Sequence, residues 1–236
     1  MPTILLTGSG RGIGAAARAL LEERGATVIG HATREYDADT VAADFADPQA
    51  PEDLWDEALD RANGRIDVLV NNAGLFEATD LGSSDIHWLD RWEHTMRVNL
   101  TAAAQLSRFA VQHWQDEGRK GRIVHVASRA GHRGDSPQHW HYAAAKGGML
   151  ALHKTIARAY AKDGLLSFAI APGFVDTSMA GDYLETRGGD GLLADIPLGR
   201  VATPEEIARI ATFCALDAPP SMTGTTIDAN GASYVR

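Results

Sequence analysis

The sequence predicts an α/β fold, a doubly wound and mainly parallel sheet of about seven strands in one domain over residues 1–236. Three observations carry that expectation. Short apolar runs of strand length alternate with longer stretches of helical period, the order that builds a parallel sheet covered on both faces. A glycine-rich turn, Gly8-Ser9-Gly10-Arg11-Gly12-Ile13-Gly14, follows the first run and opens the first helical stretch. No repeat and no linker divides the chain, and 236 residues are enough for one large core.

The first strand is expected over 4–7, an apolar run that leads into the glycines. A helix over 12–24 follows, then a strand over 27–31. A short third strand covers 41–44 and a helix 51–62. The run over 66–71 is a strong fourth strand. A long helical stretch spans 85–117, and a fifth strand 122–127. Helix resumes over 138–161, then strand over 165–171. Thr203 is the expected N-cap of a helix over 204–216, with Pro204 at the position where a missing N–H costs nothing. Residues 224–228 form the seventh strand. Two segments are irregular. Residues 32–40 are too few to hold a full helix between the second and third strands. Residues 176–200 contain Arg187-Gly188-Gly189-Asp190-Gly191 and follow a strand end, the place for a mobile substrate lid. Ligands on such sheets bind at the carboxyl ends of the strands, near the switch in strand order.

The formal net charge is −9 with no long basic run, which argues against nucleic acid or an anionic membrane as partner. Cys214 is the one cysteine, so no internal disulfide forms, as in a reducing cytosol. It lies in an apolar stretch and reads as packed core. Met1-Pro2 runs directly into a strand without a signal peptide, and no apolar run approaches the roughly 20 residues a membrane span needs. The expectation is a soluble, cytoplasmic protein.

The glycine turn sits where a dinucleotide loop belongs, after a strand and before a helix. Glycines let the backbone approach a pyrophosphate, and the helix N-terminus adds free N–H donors and a favourable dipole. The end of the second strand selects between cofactors. NAD binders place an acid there for the ribose hydroxyls. Here the run is Gly30-His31-Ala32-Thr33-Arg34, with no acid until Glu35. Arg11 and Arg34 offer guanidiniums to a 2′-phosphate, so NADP(H) is favoured over NAD(H).

Tyr142 and Lys146 stand four residues apart, which places phenol and ammonium on one helix face. A cation beside a phenol favours the phenolate, and a tyrosine tuned that way moves protons near neutral pH. With the glycine loop, Asn71-Asn72-Ala73-Gly74, Asn99 and Ser128 in the same order, the whole chain resembles the short-chain dehydrogenase/reductase family, with its Rossmann-type sheet. Ala171-Pro172-Gly173-Phe174-Val175-Asp176-Thr177 and Pro204-Glu205-Glu206-Ile207-Ala208 are similar to its 3-oxoacyl-acyl-carrier-protein reductase branch.

The resemblance implies roles. Tyr142 would be the acid for carbonyl reduction or the base for alcohol oxidation. Lys146 would depress the Tyr142 pKa and hold the nicotinamide ribose. Ser128 would bond the substrate oxygen, and Asn99 would hold a water linking Lys146 to solvent. Asp44, at the end of the third strand, would bond the adenine amine. Asn71 would lie along the adenosine, with Ala73 and Gly74 beside it and Asn72-Ala73-Gly74 stabilising the central sheet. Gly8, Gly10, Gly12, Ile13 and Gly14 would cradle the phosphates, and Pro172, Gly173, Val175 and Thr177 would meet the nicotinamide end. The substrate class is a carbonyl or secondary alcohol: a 3-oxoacyl thioester, or a small sugar, polyol or cyclic alcohol. A non-catalytic cofactor sensor is the rival, but it is expected to lose the tyrosine or the lysine.

The chain departs from the family in three places. One extra residue lies between Ser128 and Tyr142, in the expected loop 129–141. The segment between the second and third strands is short. The C-terminal glycine pair is Gly231-Ala232, read as a local packing change. His125, His132, His139 and His141 cluster in sequence, but His139 and His141 are two apart, not i, i+4, and no metal is expected. These histidines are instead expected to line the substrate pocket with Trp140; Trp55, Trp88, Trp92 and Trp114 read as packing. The small residues Ala143, Ala144, Ala145, Gly147 and Gly148 suggest a helix surface for a homo-oligomer, dimer or tetramer. An acyl-carrier protein is a candidate partner. Being acidic, it needs a basic dock, for which Arg119 and Lys120 are available and Asp163 is adverse.

Overall fold

The computed structural model describes residues 1–35, 37–177 and 193–236. Its strands are β1 (Thr3–Thr7), β2 (Thr27–Ala32), β3 (Thr40–Ala42), β4 (Val68–Asn71), β5 (Gly121–Val126), β6 (Leu165–Pro172) and β7 (Thr226–Ala229). They form one sheet in the order β3-β2-β1-β4-β5-β6-β7, every pair parallel. The chain builds outward from β1 to β3, then returns to lay β4 on the other side of β1. Ile4 pairs with Val28 on one side and Val68 on the other. The switch in strand order therefore lies between β1 and β4.

The helices are α1 (Gly12–Glu23), α2 (Ala50–Arg61), α3 (Asp85–Met96), α4 (Ala102–Asp116), α5 (Ala130–Arg133), α6 (Trp140–Tyr160) and α7 (Pro204–Thr212). They cover both faces because the strands are apolar on both. Ile4 and Leu6 of β1 pack in one layer with Ala17 and Leu21 of α1 and Ile207 and Ala211 of α7. Leu5, between them, faces the other layer with Leu54 of α2 and Leu106 and Trp114 of α4. That alternation is the strand period of two. Trp55 and Trp114 are buried, while Trp88 and Trp92 stack on each other at 5.3 Å. Cys214 is fully buried, which pushes its thiol up to about 11.

Several boundaries differ from the expectation. The third strand stops at Ala42, so Asp44 lies two residues beyond it and closes a turn by accepting the Ala46 N–H at 2.9 Å. The stretch over 85–117 is interrupted by a π-type turn at Arg97–Thr101. The expected loop 129–141 contains the short α5. Between β2 and β3 the described residues carry no helix. Of the expected lid over 176–200, residues 178–192 lie outside the described residues.

Thr203 caps α7 as expected. It accepts the Glu206 N–H at 3.3 Å, and Glu206 accepts the Thr203 N–H at 2.8 Å, a reciprocal capping box. Among the described residues no helix is long and apolar enough to cross a membrane.

Candidate active site

A cavity of about 800 Å³ opens at the carboxyl ends of the strands, at the switch point. Gly8, Gly10, Arg11, Gly12, Ile13 and Gly14 form one wall. Ala73, Gly74 and Asn99 form its middle, and Ser128, Tyr142 and Lys146 its far end with Pro172, Gly173, Val175 and Thr177. Arg34 and Asp44 line the part beside β2 and β3.

The glycine wall fits a pyrophosphate. A Cβ at Gly14 would sit 1.9 Å from the Gly8 carbonyl oxygen, so no side chain can stand where α1 meets the loop. Arg11, at the N-cap of α1, gives no side-chain cap, so the first N–H groups of that helix are left to a ligand. Asn72 braces the loop by donating from Nδ2 to the Thr7 carbonyl at 3.0 Å and the Gly8 carbonyl at 3.1 Å.

Asn71 does not face the cavity. It ends β4 at 2 % exposed, and its Nδ2 lies 3.1 Å from Ser107 Oγ on the α4 side. Successive strand residues point to opposite faces, and the cavity side of this pair belongs to Asn72.

His31, passed over in the sequence, also holds the loop. Its Nδ1 accepts the Gly8 N–H at 3.2 Å, and its Nε2 donates to the Ala43 carbonyl at 2.9 Å. Its ring stacks on Phe45 at 4.2 Å. Burial holds its pKa at about 4, so it is neutral.

At the far end, Tyr142 is in the first turn of α6 and Lys146 one turn on. Lys146 is 4 % exposed, and its Nζ donates to the Val126 carbonyl at 2.9 Å. The ammonium stands 5.8 Å from the centre of the Tyr142 ring. Ser128, just past β5, stands near enough to the phenol to draw its pKa down. Its Oγ also accepts the Ala130 N–H at 3.1 Å, which fixes the side chain. The extra residue before Tyr142 therefore leaves Ser128 and Tyr142 together.

The expected lowering of the Tyr142 pKa does not appear. Burial outweighs Ser128 and pushes the phenol up to about 12, while burial also brings Lys146 down to about 8. Asn99 is fully buried in the π-type turn, the kind of helix irregularity often found at functional sites. Both ends of its amide are spent on Leu75: Oδ1 accepts the N–H and Nδ2 donates to the carbonyl, each at 2.9 Å.

The family model described as Enoyl-(Acyl carrier protein) reductase matches residues 8–231. The 3-oxoacyl-acyl-carrier-protein reductase FabG of Vibrio cholerae is 36% identical over 98% of this chain and 96% of its own. The chain belongs to the short-chain dehydrogenase/reductase family. The Escherichia coli FabG is 34% identical over the same shares. Among solved structures, one from Beutenbergia cavernae superposes with a TM-score of 0.89 at 32% identity, covering 98% of this chain and 96% of its own. It is provisionally assigned as an NAD(P)-dependent gluconate 5-dehydrogenase and holds NADP at low occupancy. Another, from Agrobacterium tumefaciens, has a TM-score of 0.86 at 28% identity with the same coverage. It is provisionally assigned as a 2-deoxy-D-gluconate 3-dehydrogenase with bound NADP.

In this short-chain dehydrogenase/reductase the cavity is also lined by Phe76, His94, Arg129, Asp135 and Phe174. The guanidinium of Arg129, 7 % exposed, lies 4.9 Å from the centre of the Phe174 ring. Arg129 and Asp135 fall in the expected loop 129–141, whereas no motif marks Phe76, His94 or Phe174 as pocket lining. Trp140 and the clustered histidines His125, His132, His139 and His141, the expected lining, are not among the residues that line the cavity. His139 is buried with its ring stacked on Phe76 at 3.9 Å, and Trp140 is 53 % exposed.

The small residues of α6 are largely spent within the chain. Ala145 is fully buried, a Cβ on Gly147 would meet the Gly131 carbonyl at 3.4 Å, and one on Gly148 would meet Leu100 at 2.7 Å. Arg119 and Lys120 precede β5, at the amino-terminal edge of the sheet, opposite the cavity. They cannot form a dock at its mouth.

Proposed function

We propose that this enzyme is an NADP(H)-dependent oxidoreductase moving a hydride between nicotinamide and a carbonyl or secondary alcohol. The observation that carries the reading is Tyr142, beside Ser128 and one turn from buried Lys146, in the same cavity as the glycine cradle. Bound nicotinamide supplies or takes the hydride; the chain supplies orientation and the proton. Tyr142 Oη gives its proton to the carbonyl oxygen in reduction, or takes one from the alcohol in oxidation. Ser128 Oγ holds that same oxygen. Lys146 holds the ribose and carries positive charge beside the phenol.

Gly8, Gly10, Gly12, Ile13 and Gly14 hold the pyrophosphate, and Asp44 the adenine. Pro172, Gly173, Val175 and Thr177 border the nicotinamide. Arg11 and Arg34, both exposed at the cavity wall, support a preference for the 2′-phosphate of NADP(H).

For the substrate, the FabG relatives support a 3-oxoacyl thioester. A second reading, a small sugar, polyol or cyclic alcohol, is favoured by the polar wall of Arg129 and Asp135 and by the gluconate-type assignments of the structural neighbours. The placement of Arg119 and Lys120 weakens the case for an acyl-carrier protein. A homo-oligomer, dimer or tetramer, is proposed, and sedimentation showing a 25.2 kDa species alone would reject it.

The test is a turnover screen that follows NADPH oxidation with ketones and oxoacyl thioesters, and NADP⁺ or NAD⁺ reduction with alcohols. Turnover abolished by Tyr142→Phe supports the reading. NADPH binding without turnover across the whole panel would favour a cofactor sensor instead.

A further inference from the structure

The first turn of α6 carries a histidine that the proposed chemistry does not use. His141 immediately precedes Tyr142 and is 3 % exposed. Its Nδ1 accepts the Tyr142 backbone N–H at 2.8 Å. That N–H is one of the four at a helix start with no partner inside the helix. The N-cap residue, His139, gives no side-chain cap, so His141 satisfies this donor from within the first turn.

The other ring nitrogen reaches across to the loop between β4 and α3. His141 Nε2 lies 2.9 Å from Thr79 Oγ1, and Thr79 is 3 % exposed. The Thr79 N–H in turn donates to the Gln138 carbonyl at 2.9 Å. Two bonds thus tie that loop to the start of α6. The tautomer follows from the partners. Nδ1 accepts an N–H and holds no proton; Nε2 carries the proton and donates to the Thr79 hydroxyl. From the same loop, Phe76 packs edge-on against the Tyr142 ring at 4.8 Å. His141 is therefore the polar link, and Phe76 the apolar one, between this loop and Tyr142.

We propose that neutral His141 is a positioning residue for Tyr142, holding the first turn of α6 so that the phenol faces Ser128, and that protonation of His141 releases this turn and switches turnover off in acid. The inference rests on the reading of Tyr142 as the proton donor. A proton on Nδ1 replaces an acceptor by a second donor facing the Tyr142 N–H, so the bond cannot survive it.

The charged and titratable groups around the ring come from three elements. Glu77, in the β4–α3 loop, favours the imidazolium; Arg91, on α3, opposes it; these two pair with each other at 3.2 Å. The His139 ring on the N-terminal side of α6 stands 6.4 Å away, centre to centre. Burial is the largest influence and favours the neutral form, so the switch operates below the ordinary histidine value.

The experiment combines imidazole and amide NMR of the full chain with steady-state NADPH oxidation, using ethyl acetoacetate as probe ketone, between pH 5 and 8. The expected result is an Nε2–H tautomer at His141, with the Tyr142 amide shift and kcat falling together as the ring titrates. His141→Leu, which removes the acceptor, is expected to lower kcat 10- to 100-fold at neutral pH with NADPH Kd changed less than two-fold. His141→Asn restores an acceptor that does not titrate. It is expected to recover at least ten-fold of the lost kcat and to lack the acid limb. Should His141→Leu fail to fold, Thr79→Val tests the same link and is expected to lower kcat without changing NADPH Kd.

An imidazole that titrates without moving the Tyr142 amide overturns the proposal, with or without turnover of the probe. So does a His141→Asn enzyme that keeps the wild-type acid limb. Full activity in Tyr142→Phe instead overturns the proton-donor reading itself.

Discussion

Lys146 Nζ donates to the Val126 carbonyl at 2.9 Å while standing 5.8 Å from the centre of the Tyr142 ring. The ammonium is thus anchored to the end of β5 and lies over the face of the phenol ring. Burial sets both groups: it holds Lys146 at about 8 and Tyr142 at about 12, so each is drawn toward its neutral form. The cation is therefore the more fragile of the two as pH rises.

A pH profile reads this directly. The pH dependence of kcat/KM reports groups of the free enzyme. Below about 8 Lys146 is charged; above it the charge that supports Tyr142 is lost. The expected profile for ketone reduction falls above about pH 8. Lys146→Arg keeps the cation with a much higher pKa, so the fall moves beyond pH 10 in whatever activity that variant retains. Tyr142→Phe should cost roughly 10²–10⁴ in kcat with NADPH Kd nearly unchanged, the size of a lost general acid. An alkaline limb unmoved by Lys146→Arg would remove Lys146 as its source.

Arg11 tests the cofactor assignment. It lines the cavity at the start of α1 and is exposed to it. A guanidinium on a phosphate contributes a charge-assisted bond worth about 1.5–3 kcal/mol, roughly 10- to 150-fold in affinity. Arg11→Ala is expected to weaken NADPH by that factor while NADH binding changes less than three-fold. Arg34→Ala should act in the same direction and more weakly, because Arg34 lies in the loop after β2. Equal losses for both cofactors would show that the two arginines act on the pyrophosphate instead.

His31 predicts an acid limb in stability. Its pKa is about 4 in the fold and about 6.5 unfolded, so the unfolded chain takes a proton first as pH falls. The stabilisation is complete above pH 6.5 and is lost progressively down to about pH 4, on the order of 2 kcal/mol by pH 4.5. Buried His125 and His153 add in the same direction. Urea unfolding at pH 7 and 4.5 measures the drop, and His31→Asn should make it shallower by about 2 kcal/mol. An identical drop in that variant would assign the limb to the other histidines.

What could be read from the sequence follows from how each feature is encoded. The sheet was legible because its strands are apolar on both faces and punctuated by glycines, a local signal. Tyr142, Lys146, Ser128 and Asn99 were legible as an ordered set. Asn71 and Asn72 were not separable, because the face each takes depends on where β4 ends. The Tyr142 pKa direction was missed because burial, which no spacing records, outweighs the lowering by Ser128. The roles of His31 and His141 were missed because each depends on a partner far off in the chain, the Gly8 and Ala43 backbone for His31 and the Thr79 hydroxyl for His141.

Ala232 gives the last prediction. The chain turns after β7 through Gly231 at φ 63° and Ala232 at φ 64°, both left-handed. Glycine takes that conformation freely, whereas alanine brings its Cβ too close to the backbone, at a cost of roughly 1–2 kcal/mol. Read from the sequence as a packing change, the Gly231-Ala232 pair is instead a site of backbone strain. Ala232 is exposed, so replacing its methyl by hydrogen removes little buried surface. The added flexibility of glycine in the unfolded chain offsets part of the gain. Ala232→Gly is therefore expected to stabilise the fold by about 1 kcal/mol, read as a higher urea midpoint at unchanged slope. Gly231→Ala should do the opposite and by more, because its Cβ would meet Ile196 Cγ2 at 2.7 Å as well as the same backbone penalty. A destabilised Ala232→Gly would mean that the methyl contributes more by packing than the turn costs.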